Sequence, residues 1–240
     1  MASPVLDPDE LVHIKEIALA ELPSRRAWER AWDHAYLWLI DHGFLRAVYS
    51  NRYRLAGGLY RSSQLSPGQV LRLSKSLGLR SLVNLRGIVR QGATLRLEAE
   101  ASRKRAGLRL FVIRSLSRGL LSREELLQMM DFIKTMELPA LVHCKSGADR
   151  AGHFSVLFRH LRLGEPIERA VRELNWRYGH FPTSRTGFLD HFFKVYLRDR
   201  RPFQSFEDWL RNDYDRQQIR ARFKPTRLAS WITDRLLRRE

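Results

Sequence analysis

Apolar residues change their spacing several times along this chain. In RRAWERAWDHAYLWLIDHGFLRA, residues 25 to 47, Trp28, Trp32, Leu39 and Ile40 recur at helical spacing, with Arg25, Arg26, Arg30 and Asp33 on a wetter side. The pattern predicts an amphipathic helix, broken near Gly43 and packed by its apolar face on the core. An interfacial helix with aromatic anchors is the competing reading. NRYRLAGGLYRSS then predicts a hairpin turning at Gly57 and Gly58. Ser66, Pro67 and Gln69 supply an N-cap, a first-turn proline and a capping-box partner for a helix that Gly78 stops. RSLVNLRG, LRLFVIR and PALVHC read as short buried strands, the last over 139 to 144. Between the second and third strands, Ser122 and Glu125 cap a helix carrying Leu126, Met130 and Ile133 on one side. Further helices are expected from Gly152 to about Leu161 and from Gly187 to Leu197.

This alternation is that of an α/β sheet with helices on its faces. The expected organisation is an N-terminal helical extension over 1–44 packed on the core, a central domain over 45–200 and a basic C-terminal helical extension over 201–240. The loop after the third strand lies where a strand's C-terminal end meets a helix's N-terminus. Open α/β sheets bind their ligands there.

Composition narrows the picture. With 240 residues, 44% of them hydrophobic, the chain is long and apolar enough for a sizeable core. A single cysteine cannot form an intramolecular disulfide. The start of the chain contains acids and lacks the basic-then-apolar order of an export signal, and no stretch is apolar enough to span a bilayer. A cytoplasmic location is expected. Lys and Arg number 43 against 26 acids, a formal +17. Such a surface attracts nucleic acid, acidic lipid or phosphorylated substrates, and charge alone does not choose among them.

The one cysteine sits in VHCKSGADRAG, residues 142 to 152. Lys145, Ser146, Gly147, Ala148, Asp149 and Arg150 offer successive backbone N–H groups, Gly147 permits the sharp turn, and the following helix adds its N-terminal donors. Arg150 presents a planar fork for two phosphate oxygens. Among such donors Cys144 is suited to attack phosphorus, giving a cysteinyl-phosphate that water cleaves. The rivals are weaker. A metal site would need a second cysteine or a distant His180 or His191, and the Gly-x-x-x-x-Gly-Lys-Ser/Thr of a nucleotide P-loop is absent.

His143 to Arg150 resembles the HCxxGxxR signature of the protein tyrosine phosphatase superfamily, nearer its compact dual-specificity and lipid-phosphatase branch. LYRSSQLSPGQV, RSLVNLRG and the stretch from RYGHF to YLRD are similar to a group of small bacterial dual-specificity-like phosphatases. The resemblance implies a small central mixed sheet flanked by helices in three layers. It also implies Cys144 as nucleophile, Arg150 as transition-state clamp, and no metal or organic cofactor. The rest of the phosphate loop would bind substrate: His143, Lys145, Ser146, Gly147, Ala148, Ala151 and Gly152, with His143 holding the loop and Lys145 reading substrate charge. Arg86 would form a site wall or pair with an acid. Arg114 would face a substrate with more than one negative group.

Two departures matter. The family's upstream aspartate is missing from IRSLSRGLLSREEL, whose acids Glu124 and Glu125 are explained by capping. Asp149 is the substitute proton donor, an arrangement that resembles the loop of myotubularin-type phosphoinositide phosphatases. Ala151 replaces the hydroxyl residue that steadies the departing thiolate, which implies a slower second step. His180, with Thr183 or Ser184, is a candidate for the site's mouth.

The expected substrate is an anionic phosphomonoester, with a phospholipid or lipid-linked phosphate ahead of phosphotyrosine, and no nucleic acid. Residues 216 to 239 carry eight basic residues and one acid, with Leu228, Trp231, Ile232 and Leu236 as an apolar stripe. That helix suits either an anionic inner membrane face or packing on the domain. Two rivals are a nucleic-acid binder, which leaves the cysteine loop unexplained, and a phosphatase relic that binds phosphate without turnover.

Overall fold

The structure, a computed structural model, describes residues 14–21, 24–41, 43–44, 50–87, 92–105 and 107–223. The apolar stripe over Leu228 to Leu236 lies outside the described residues.

Among the described residues six strands form one mixed sheet: β1 (Ile14–Glu16), β2 (Tyr53–Arg54), β3 (Leu59–Ser62), β4 (Ser81–Asn84), β5 (Arg109–Ile113) and β6 (Ala140–His143), in the order β1-β5-β4-β6-β3-β2. The four inner strands are parallel, and β1 and β2 close the edges antiparallel to β5 and β3. Residues 14–16 of the N-terminal segment therefore form an edge strand. β6 lies between β3 and β4, so the loop that follows it opens over the middle of the sheet.

Side chains alternate across the sheet. Leu82, Leu110, Val112 and Leu141 face a core shared with α2 (Pro67–Ser76) and α3 (Gly92–Arg103). Val83, Ile113, Ala140 and Val142 face the larger core, built with α4 (Arg123–Thr135), α5 (Asp149–Leu163), α7 (Phe188–Asp199) and α8 (Phe206–Asn212). Short helices α6 (Ile167–Ala170) and α9 (Arg216–Arg222) complete that layer. The result is a three-layer α/β architecture.

The caps form as the sequence implies. Ser66 Oγ accepts from the Gln69 N–H while Gln69 Oε1 accepts from that of Ser66, and Ser122 with Glu125 repeats the exchange on α4. Part of the C-terminal segment belongs to the core. Phe206, Trp209 and Leu210 of α8 are buried against Phe192 and Tyr196 of α7.

The N-terminal helix α1 (Ala27–Ala35), continued by a π-helical turn over Tyr36–Ile40, packs on α3 with the opposite face to the one expected. Its buried side carries Asp33, which accepts from Arg96 Nη2 at 2.6 Å and Arg25 Nη2 at 2.6 Å. The tryptophans face solvent. The expectation that this apolar face meets the core fails because Arg96 stands on α3 where the helix docks, and selects the acid.

Candidate active site

The loop Cys144–Ala148 joins β6 to α5, and its shape is set from outside by its own carbonyls. Lys145 O accepts from the Gln64 N–H at 3.2 Å and Ser146 O from Asn51 Nδ2 at 2.8 Å. Gly147 O and Ala148 O both accept from Arg61 Nη2 at 2.9 Å. Across a trans peptide the C=O of one residue and the N–H of the next point in opposite directions. Fastening these carbonyls outward therefore turns the N–H groups of Ser146, Gly147, Ala148 and Asp149 to the other side. The Gly147 N–H lies 3.2 Å from Cys144 Sγ, on that side. A row of donors beside a sulfur is a cradle for an anion.

Arg61 is wholly buried on β3, and its Nη1 binds both the carbonyl and the carboxylate of Glu173 at 2.9 Å. Burial pulls its guanidinium below the ordinary value, and Glu173 opposes that pull. Two glycines let the parts close. Gly147 has φ +74°, and a Cβ there would lie 2.6 Å from the carbonyl carbon of Ser62. A Cβ on Gly152 would meet Leu174 at 2.9 Å and the Glu173 carbonyl oxygen at 3.0 Å.

His143 is buried with Nε2 2.7 Å from Glu98 Oε1, off the line of an aligned hydrogen bond. Glu98 also takes Asn84 Nδ2 at 2.7 Å and Gln64 Nε2 at 3.2 Å, so the histidine is fixed beneath the loop. Arg86 grips Asp41 with both Nη atoms at 2.9 Å and Gln64 Oε1 at 2.9 Å. The acid partner that one sequence reading gives Arg86 is thus Asp41. Lys145 lies 4.0 Å from the same Asp41. Arg114 is exposed at the end of β5, with its backbone bridged to Arg86. Ser146 and Arg150 are half-buried on the loop and the first turn of α5, while Ala148 and Ala151 are buried.

Asp149 is not an isolated acid. Its Oδ1 is 2.6 Å from His180 Nδ1, and His180 Nε2 meets Asp190 Oδ2 of α7. Burial pulls the His180 imidazolium down, but the hydrogen bonds to Asp149 and Asp190 outweigh it and raise the group to about 9. Sequence reasoning placed His180 at the mouth of the site. It is fully buried behind the loop, while Ser184 is buried and bonded to Thr186.

Arg61, Asn51, Glu98, Glu173 and Asp190 were not singled out from the sequence. Arg61 stands within LYRSSQL, a stretch that carries the family resemblance. The others offer no local signal, since each acts on the loop from a distant part of the sequence or through an intermediary.

No family model and no curated protein matches the chain. Among solved structures it is similar to P. aeruginosa TpbA, at 21% identity and a TM-score of 0.47, over 68% of this chain and 89% of that one. It is similar to the core catalytic domain of the PP-IP phosphatase SIW14 from S. cerevisiae, at 20% identity and a TM-score of 0.45, over 62% and 93%. Human DUSP28 gives 14% identity and a TM-score of 0.45, over 62% and 95%.

Proposed function

We propose that this chain is a cysteine-dependent phosphomonoesterase. The observation that carries the reading is the outward fastening of carbonyls 145 to 148, which aims their N–H groups to the side where the Gly147 N–H meets Cys144 Sγ. Phosphate oxygens take those donors, and Arg150 closes on two of them as charge builds in the transition state. The Sγ thiolate attacks phosphorus, the bond to the leaving oxygen breaks, and that oxygen takes a proton passed from His180 through the Asp149 carboxylate. Water then cleaves the cysteinyl-phosphate, its proton returning along the same path to His180, which releases inorganic phosphate and restores the Cys144 thiolate.

The favoured substrate is a phospholipid or lipid-linked phosphate at the inner membrane face, supported by Lys145 on the loop and by the +17 charge. A phosphotyrosine is the second reading. Tyr53 and Tyr178 pair edge to face at 4.7 Å, and Asn51 ties the Tyr178 carbonyl to that of Ser146, so an aromatic pair stands beside the loop.

The test is phosphate release by wild type and Cys144→Ser over one panel: an aryl phosphate, phosphotyrosine and phosphoserine peptides, phosphatidylglycerophosphate, phosphoinositides and phosphorylated lipid A in mixed micelles. Release by wild type alone is expected, with the largest kcat/KM on a lipid. Release by both proteins, or by neither on any substrate, overturns the reading.

A further inference from the structure

Helix α1 is mounted inside out. A surface helix ordinarily turns its apolar stripe to the core and its charges to water. Here Asp33 is 1% exposed, whereas Trp28 is 65%, Trp32 69%, Leu39 71% and Ile40 62% exposed. Trp38 and Phe44 are also exposed. Trp28 and Trp32 are one helical turn apart, and the π-helical turn brings Leu39 and Ile40 into continuation. The orientation is fixed. Arg96 holds Asp33 with Nε at 3.0 Å and Nη2 at 2.6 Å, and Glu100 takes Arg25 at 3.3 Å and Arg30 at 3.5 Å, so α1 is riveted to α3 by its polar side.

The ridge leads to the proposed active site. Asp41 follows Ile40 directly, grips Arg86 and stands 4.0 Å from Lys145 of the phosphate loop. The segment that carries the ridge therefore ends beside the phosphate loop.

We propose that the exposed ridge of α1 and its π-helical turn inserts into an anionic lipid bilayer and sets the Cys144 loop at head-group depth. Its tryptophans and aliphatic side chains suit the boundary between head groups and acyl chains. Charge selects the occupant: a chain of +17 is drawn to acidic lipid and repelled by a second copy of itself. Among the described residues no helix is long and apolar enough to cross a membrane, so the ridge provides a peripheral attachment. The purpose of this docking rests on the lipid-phosphate reading, but the binding itself does not require catalysis.

The experiment is co-sedimentation of the full chain with phosphatidylcholine vesicles, with and without phosphatidylglycerol. Wild type, Trp28→Ala/Trp32→Ala and Phe203→Ala are compared. Phe203 is a fully exposed aromatic between α7 and α8, in the opposite layer from α1, and controls for general stickiness. Wild type and Phe203→Ala are expected to sediment with the phosphatidylglycerol vesicles, and added salt to weaken both. The tryptophan variant should bind about tenfold or more weaker, as for loss of a partly inserted side chain. It should release phosphate from a soluble aryl phosphate at the wild-type rate. Equal sedimentation of all three proteins, or none by wild type, overturns the docking. So does a wild-type dimer that the tryptophan variant dissolves, which would make the ridge a self-interface. Phosphate release is scored separately, so failure of the catalytic reading leaves the sedimentation result standing, and the converse.

Discussion

His180 holds one proton toward each of two carboxylates, Asp149 at the head of α5 and Asp190 on α7. In the proposed reaction the proton for an alkoxide leaving group passes from His180 through Asp149. His180→Gln should therefore discriminate between leaving groups. We expect kcat/KM to fall about 100-fold on an alkyl phosphate, in the range of general-acid effects, and by less than about tenfold on an aryl phosphate. Equal losses on both would reduce His180 to a strut. The pH dependence has a definite sign. His180 is raised above its ordinary value, to about 9, so its pairing stabilises the fold fully below the unfolded value near 6.5 and is lost as pH rises through about 9. Thermal unfolding followed from pH 6 to 10 should lose wild-type stability across that window, and His180→Gln should flatten it. His153, which burial lowers to about 4, acts with the opposite sign and lower down, its contribution being lost as pH falls from its unfolded value near 6.5 towards 4.

At the scale of the element, the phosphate loop is shaped by one guanidinium. Arg61 fills the space behind Gly147 and Ala148 and is tied in turn to Glu173. Arg61→Met would leave the buried Glu173 carboxylate with Arg159 alone and take a donor from the carbonyls of Gly147, Ala148 and Glu173, so a loss of about 3 kcal/mol in urea unfolding is expected. Arg61→Lys keeps the charge but not the planar fork. It should fold, while its affinity for inorganic phosphate, read by calorimetry, drops about tenfold because the loop's N–H groups are no longer held together. Unchanged affinity would mean that the loop keeps its shape unaided. This division explains what the sequence revealed. Cys144, Gly147 and Arg150 were legible because a strand, a turn and a helix start meet within a few residues. The caps at Ser66 and Ser122 were legible for the same reason. Arg61, Asn51 and Glu98 were not, since their partners are chosen by the packing of distant elements. The facing of α1 was misread because periodicity identifies an apolar stripe but not the surface it meets. Asp33 and Arg96 settled that, 63 residues apart.

Across the whole molecule the two cores are unequal, and the larger lies beneath α5, the helix that carries Asp149 and Arg150. Residues 201–240 read as a basic C-terminal helical extension, and within it α8 drives Phe206 and Trp209 into that core. Tyr214 adds a hydrogen bond of 2.7 Å to the Leu121 carbonyl at the entry to α4. Among the described residues of the segment, Arg201, Arg211, Arg216, Arg220 and Arg222 face water while a few aromatics do the packing. Phe192 is the meeting point, with ring centroids of Phe206, Trp209 and Tyr214 all within 5.9 Å. Removing the indole leaves a cavity that rigid neighbours on α4 and α7 cannot fill. Trp209→Ala should therefore destabilise the protein by about 3–5 kcal/mol in chemical unfolding. Because α7 also carries Asp190, partner of the proton-bearing His180, loosening should reach the site through α7 before it reaches the loop. At a temperature where the variant is still folded, its kcat/KM on an alkyl phosphate should fall more than that on an aryl phosphate. Parallel decline of the two would place the damage in the phosphate loop or in global unfolding, and would separate the C-terminal helices from the proton path.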